Sequence, residues 1–235
     1  MTNEPRRAGF FVWYGREQIR KGVFGMLVVI DYGAGNLRSV IHALSHLGVE
    51  NMRIARTPHE LRGATHLILP GVGAFGAGME QLHAQHLVTP IREAVRAGVP
   101  YLGICLGMQF LFERSDEMGD HAGLGLLAGR VTRFPDRPGL KVPHMGWNTL
   151  RAAKPTPLLD GLPGDAMAYF VHSYYCEPAD PAVTAITTEY GAPFCAGVAH
   201  DNIYGVQFHP EKSQRTGLRL LANFLAIPSP VEALS

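Results

Sequence analysis

The sequence predicts an α/β protein with a mostly parallel central sheet, helices on both faces and an antiparallel extension. Three observations carry that expectation. From Met26 onward, short apolar runs alternate with stretches of helical period. Beyond about residue 123 the pattern changes to short strands and turns, punctuated by Pro135, Pro138, Pro143, Pro155, Pro157 and Pro163. At Ile203 to Phe208 the strand-then-helix rhythm returns.

The elements follow in order. Met26 to Ile30 is an uninterrupted apolar, β-branched run, the signature of a strand buried on both faces. Asn36 is a candidate N-cap for a helix whose Leu37, Val40, Ile41, Leu44 and Leu47 share one face, with Gly48 as its stop. His66 to Leu69 and Val99 to Ile104 read as further strands, with a helix initiated near Pro90 between them. A helix is expected after Cys105, running through Gln109, Phe110, Leu111 and Phe112. An antiparallel flap is expected in the proline-punctuated region, and a last helix from Ser213 to about Phe224.

Composition narrows the function. Of 235 residues, 46% are hydrophobic and 17% charged, enough apolar surface for a substantial core and too little charge for a disordered chain. A formal net charge of +1 gives no electrostatic footprint for nucleic acid or an anionic membrane. No apolar run approaches the roughly 18–20 residues of a spanning helix. Cys105, Cys176 and Cys195 form no CxxC pair, which argues against a disulfide framework or a four-ligand zinc site and for a reducing, cytoplasmic compartment. Residues 1–25 carry Arg6, Arg7, Arg16, Arg20 and Lys21 against Glu4 and Glu17, without a clear period. They are expected to be an extension, disordered or arising from an upstream start, ahead of a domain at 26–227 and a short tail at 228–235.

Two segments carry chemistry. A strand runs into Gly103-Ile-Cys105-Leu-Gly107, the glycine-flanked form of a nucleophile elbow. The sulfur then sits at the amino end of the following helix, where unpaired N–H groups favour thiolate. The N–H of Leu106 is placed to face an oxyanion. A thiolate that forms an acyl intermediate wants a base, and the base wants an orienting acceptor. Gly205-Val-Gln-Phe-His209-Pro210-Glu211 supplies both at the carboxyl end of a strand, where ligands collect in open α/β sheets.

Gly-Ile-Cys105-Leu-Gly-Met-Gln109 together with His209-Pro-Glu211 resembles the triad of the class I glutamine amidotransferases, so the expected fold is of that type. Asp31-Tyr-Gly-Ala-Gly-Asn36, Pro70-Gly-Val-Gly73, Lys141-Val-Pro-His-Met-Gly-Trp-Asn148, Phe170-Val-His-Ser-Tyr-Tyr175 and Phe208 to Ser213 narrow the likeness to the glutaminase subunits of imidazole glycerol phosphate synthases, over about Met26 to Leu225. The resemblance implies that Cys105 attacks the glutamine carboxamide, with His209 as general base and Glu211 fixing its tautomer. It implies a second oxyanion donor in the Val72–Gly73 peptide, substrate contacts at Gly73, Gln109, Ser173 and Tyr174, and a partner-docking face at Asn36, Trp147, Asn148, Tyr169 and Lys212. No cofactor or metal is called for. The implied partner is a separate (β/α)8 cyclase, in a heterodimer, that takes the ammonia to make imidazole glycerol phosphate and aminoimidazole carboxamide ribotide in histidine biosynthesis.

Other patterns are weaker. Gly71-Val-Gly-Ala-Phe-Gly76 satisfies G-x-G-x-x-G, but its strand is not the first of the sheet, and the acidic residue about 20 positions on, Glu93, falls within a predicted helix. His42 and His46 stand four apart without the glutamate of H-E-x-x-H, on the face opposite Leu37, Ile41 and Leu44, and are expected in solvent. His144 and His172 are expected to shape a loop. The rival functions are an amidotransferase subunit for another pathway, a catalytically idle docking subunit and a general cysteine hydrolase.

Overall fold

The computed structural model describes residues 25–230. Nearly all of the expected extension, and the end of the expected tail, lie outside the described residues.

In chain order, β1 (Met26–Ile30) leads to α1 (Leu37–His46), β2 (Met52–Ala55) and β3 (Ala64–Gly71). Then come α2 (Phe75–Ala84), α3 (Val88–Arg96), β4 (Tyr101–Cys105) and the one-turn α4 (Leu106–Gln109). Short strands follow: β5 (Phe112–Ser115), β6 (His121–Ala122), β7 (Leu127–Arg133), β8 (His144–Thr149) and β9 (Arg151–Ala152). After these come β10 (Met167–His172), β11 (Tyr174–Pro178), β12 (Thr184–Glu189), β13 (Pro193–His200), β14 (Ile203–Val206) and α5 (Gln214–Leu225).

The large sheet runs β2-β1-β3-β4-β14-β13-β11-β7-β5-β6, with β12 and β9 branching from β13. From β2 to β14 every pairing is parallel. From β14 through β13 and β11 to β7 the pairings are antiparallel, which is the expected extension, and β5 then pairs with β7 in parallel. β8 and β10 pair separately as an antiparallel hairpin.

The inner parallel strands β1, β3, β4 and β14 are almost wholly buried because both faces are covered. Val28 and Ile30 face one core with Leu67, Leu69, Tyr101 and the α2 and α3 residues Phe75, Leu82, Ile91 and Val95. Leu27 and Val29 face the other, with Ile68, Leu102, Ile104 and the α1 and α5 residues Val40, Leu44, Leu220 and Phe224. Gly48 ends α1 at a φ of +89°, a backbone that glycine adopts without strain. Asn36 stands at the N-cap, yet its Oδ1 accepts from the Ser39 hydroxyl at 2.8 Å instead of a backbone N–H.

Three expectations need correction. The strand read over His66 to Leu69 extends to Ala64–Gly71, because Thr65 and Pro70 at its ends are equally buried. The helix expected from Cys105 through Phe112 stops after one turn, and Phe112 opens β5 instead. Gly123 lets Leu124 approach closely enough for its N–H to bond the Phe110 carbonyl at 2.7 Å, so those carbonyls serve a tertiary contact. β2 and α2 were not anticipated. α2 contains Gly76 and Gly78, poor helix formers, but a Cβ there would sit 2.6 Å from the His121 ring and 2.4 Å from Phe110. Close packing overrides propensity at both positions.

Candidate active site

The strand order fixes the site before any side chain is considered. β3, β4 and β14 are parallel neighbours, with Gly71 opposite Cys105 and Ile104 opposite Val206. Their carboxyl ends therefore place the Val72–Gly73 loop on one side of Cys105 and the Gln207–His209 segment on the other.

Cys105 has φ +55° and ψ −109°, an unfavourable backbone for a residue with a side chain. Strain of that kind costs on the order of 1–3 kcal/mol and persists only where packing over-determines it. The glycines on either side supply that packing. A Cβ on Gly103 would lie 2.3 Å from the Gly107 carbonyl oxygen, and one on Gly107 would lie 1.8 Å from the Leu69 oxygen. Tyr101 also donates from its hydroxyl to the Gly107 carbonyl at 3.0 Å. The elbow is clamped between its own strand and β3.

His209 Nδ1 bonds Glu211 Oε1 at 2.8 Å, and the two side chains are 3% and 1% exposed. The carboxylate makes Nδ1 the protonated donor, so Nε2 is the nitrogen free for chemistry. Nε2 is buried, without a hydrogen-bond partner, on the side of the Cys105 sulfur. Burial alone disfavours the imidazolium, but Cys105 and Glu211 outweigh it and hold the ring's pKa up at about 10. Pro210 begins a single 3-10 turn over Pro210–Lys212 that sets the carboxylate beside the ring. Ser213 locks the turn by donating to the His209 carbonyl.

The residues expected to serve the oxyanion and the substrate lie near the same edge of the sheet. Gly73 has φ +94°, and Val72 is partly exposed beside Cys105's strand. Leu106 opens α4 directly after Cys105. Gln109 is buried, and its Nε2 donates to the Tyr174 carbonyl at 3.0 Å and to Gln207 Oε1 at 3.1 Å. Ser173 sits at the bend between β10 and β11, half-buried like Tyr174.

The residues expected to face a partner divide. Trp147 pairs with Tyr169 across the β8/β10 hairpin, and their rings meet edge-on at 6.2 Å. Lys212 Nζ stands 5.8 Å above the Tyr169 ring. Met145 and Met167 on the same strands are 62% and 44% exposed, and Trp147 is 45% exposed, so the outer face of the hairpin is an apolar patch. Asn36 stands at the N-cap of α1, a helix that packs against the Pro210–Lys212 turn. Asn148 turns inward: its Nδ2 donates to the Glu189 carbonyl at 2.9 Å and lies 3.3 Å from His144 Nε2.

His144 and His172 are buried and 3.1 Å apart. His172 Nδ1 donates to the Tyr174 carbonyl at 2.8 Å, which leaves its Nε2 to accept from His144 Nδ1. Burial pushes them down to about 4 and about 3, so both are neutral. They support the Tyr174 carbonyl from behind. His42 and His46 are exposed on α1.

Three residues were missed. Gln207 places its Nε2 3.6 Å from Cys105 Sγ. Tyr32 buries its hydroxyl under Gly71 and beside the Val72 backbone, where desolvation pushes the phenol well up. Glu117 Oε2 accepts from the Phe75 N–H at 2.7 Å and so pins the far end of the Val72–Gly73 loop.

Comparisons with known proteins place the chain in a family. The family model described as "Glutamine amidotransferase class-I" matches residues 28–227. The imidazole glycerol phosphate synthase subunit HisH of Desulfitobacterium hafniense is 52% identical over 199 residues, covering 85% of this chain and 93% of that protein. The subunit of the same name from Syntrophotalea carbinolica is 50% identical over 204 residues, covering 85% and 98%. The one from Aquifex aeolicus is 48% identical over 197 residues, covering 84% and 94%. Among solved structures, a glutamine amidotransferase matches with a TM-score of 0.67 at 22% identity, covering 86% of this chain and 97% of that one. PurLQS from Thermotoga maritima matches at 0.63 and 19%, covering 86% and 98%. At such identities the two structures speak for the fold.

Proposed function

Since the chain belongs to the class-I glutamine amidotransferases, and within them to the HisH subunits of imidazole glycerol phosphate synthase, we propose that Cys105, His209 and Glu211 are its catalytic residues. The protein hydrolyses the side-chain amide of L-glutamine and hands the ammonia to a partner cyclase. The observation that carries the residue assignment is the 2.8 Å bond from His209 to Glu211, which leaves Nε2 beside a strained, clamped Cys105.

The chemistry follows from that placement. His209 Nε2 takes the Cys105 thiol proton as the sulfur attacks the carboxamide carbon, and the carbonyl oxygen takes the negative charge. The Leu106 N–H and the Val72–Gly73 peptide face that oxyanion; one such donor is typically worth ~10²–10³ in rate. Collapse breaks the C–N bond while His209 Nε2–H protonates the leaving nitrogen, releasing ammonia and a glutamyl thioester. Nε2 then takes a proton from water as its oxygen attacks the thioester, freeing glutamate and the thiol. Gly73, Gln109, Ser173 and Tyr174 hold the substrate.

The ammonia goes to a separate (β/α)8 cyclase that forms imidazole glycerol phosphate and aminoimidazole carboxamide ribotide. Trp147, Tyr169 and Lys212, with Asn36 and Asn148 at the margins, are the docking face in this reading. The apolar hairpin surface supports it, since a patch of this kind marks an interaction site. Residues 26–227 are the working unit, and a cytoplasmic location fits the three free thiols. Among the described residues no helix is long and apolar enough to cross a membrane.

Mixing the protein with its cyclase and measuring glutamate release tests the function. Cys105→Ala is expected to abolish release while synthesis from added ammonia continues. Full glutaminase turnover in Cys105→Ala would overturn the mechanism, and failure of the cyclase to bind would overturn the partner.

A further inference from the structure

A buried amide that the triad does not use lies against the nucleophile. Gln207 follows β14 directly and is fully buried between Val206 and Phe208, themselves fully buried and apolar. A primary amide in such a place costs free energy unless its groups are bonded. Gln207 bonds at both ends: Oε1 accepts from Gln109 Nε2 at 3.1 Å, and Nε2 lies 3.6 Å from Cys105 Sγ.

The network dictates which end faces which partner. Gln109 Nε2 donates to the Tyr174 carbonyl at 3.0 Å, and a carbonyl can only accept. Gln109 therefore presents its NH2 group, Gln207 must answer with oxygen, and its own NH2 is left for the sulfur. The sulfur thus lies between His209 on one side and an N–H of fixed direction on the other.

We propose that Gln207 is a positioning residue of the glutaminase reaction: its amide N–H holds the Cys105 sulfur in the direction of attack, and its bond to Gln109 ties that direction to the substrate-binding wall. This rests on the reading of Cys105 as nucleophile and Gln109 as substrate contact. Orientation of a reacting atom acts on the chemical step more than on ground-state binding, so the effect belongs in kcat.

The test uses the cyclase-bound protein with Gln207→Met, which keeps length and apolar fit but removes the donor. The kcat for glutamate release should fall about 10- to 100-fold with KM changed less than about twofold. Alkylation of Cys105 by iodoacetamide, which needs no glutamine site, should slow in parallel. Gln207→Leu also removes the donor and stays apolar; it should lose about as much, and it decides the matter if the Met variant does not fold. Wild-type kcat in either folded variant overturns the proposal. So does an unchanged alkylation rate with the loss confined to KM, which would make Gln207 a packing residue of the substrate pocket. A wild-type protein that alkylates at Cys105 yet releases no glutamate would instead overturn the functional reading, and the alkylation comparison would still stand.

Discussion

His209 balances opposed forces: burial works against the imidazolium, while Cys105 and Glu211 favour it strongly enough to carry the pKa to about 10. Because the folded value lies above the unfolded 6.5, the stability it contributes is fully present below about pH 6.5 and is lost as pH rises through about 10. Glu211→Gln removes the charge while leaving an oxygen at the same place. The His209 titration, followed by NMR of its ring protons, should then move down from about 10. The kcat for glutamine hydrolysis should fall by up to ~10⁴-fold, the scale seen when an orienting carboxylate becomes an amide. An unmoved titration would deny Glu211 its role. Cys105, His209 and Glu211 were legible in the sequence because the elbow and the His-Pro-Glu turn are local motifs. Gln207 was not, since its partners Gln109 and Cys105 are 98 and 102 residues away. Period-2 alternation past β14 held a hint: Gln207 and His209 share a parity opposite to the apolar Val206 and Phe208. Tyr32 and Glu117 acquire meaning only from backbone that folding brings to them.

At the scale of elements, the nucleophile turn depends on two missing side chains. Gly107→Ala would put a methyl group 1.8 Å from the Leu69 oxygen, against strand backbone that cannot move alone. The variant should lose several kcal/mol, roughly the upper range for overpacked cores, visible as a large drop in urea midpoint or a failure to fold. Gly139→Ala, where no atom lies within 4 Å, is the comparison, although its φ of +82° makes it carry some backbone strain. Equal stability of the two would refute the clamp. The docking hairpin offers a second expectation. Trp147→Ala removes a large exposed ring from the Met145–Met167 surface and should weaken cyclase binding by ~1–3 kcal/mol, about the cost of a central aromatic anchor, without lowering the melting temperature of the free subunit. Calorimetric titration with the cyclase reads it. Strands buried on both faces and the amphipathic α1 and α5 were legible because periodicity reports burial. α2 and the end of α4 were not, because Gly76, Gly78 and Gly123 follow contacts with His121, Phe110 and Phe112 that no local window contains.

Across the whole molecule, one run of hydrogen bonds joins the β8/β10 pair to Cys105. It starts at Asn148 and passes through His144 and His172 to the Tyr174 carbonyl, then through Gln109 and Gln207 to Cys105. The histidines can hold this run only as neutral rings, since each must accept at one nitrogen while donating at the other. Burial secures that by pushing His144 to about 4 and His172 to about 3. Both folded values lie below the unfolded 6.5, so the unfolded chain binds more protons as the solution is acidified. The stability contributed is present above about pH 6.5 and is lost progressively as pH falls toward 4 and then 3. A fully depressed group costs ~1.4 kcal/mol per pH unit in that window. Thermal melts between pH 6.5 and pH 5, below the range in which His209 acts in the opposite sense and above the ordinary carboxylate range, should therefore show the melting temperature falling with acidity. In His172→Gln, which retains an amide for the Tyr174 carbonyl and an oxygen for His144 but does not titrate, the fall should be shallower by a comparable slope. An identical slope in the variant would mean that the histidine pair does not stay neutral, and the run from Asn148 to Cys105 would lose its middle.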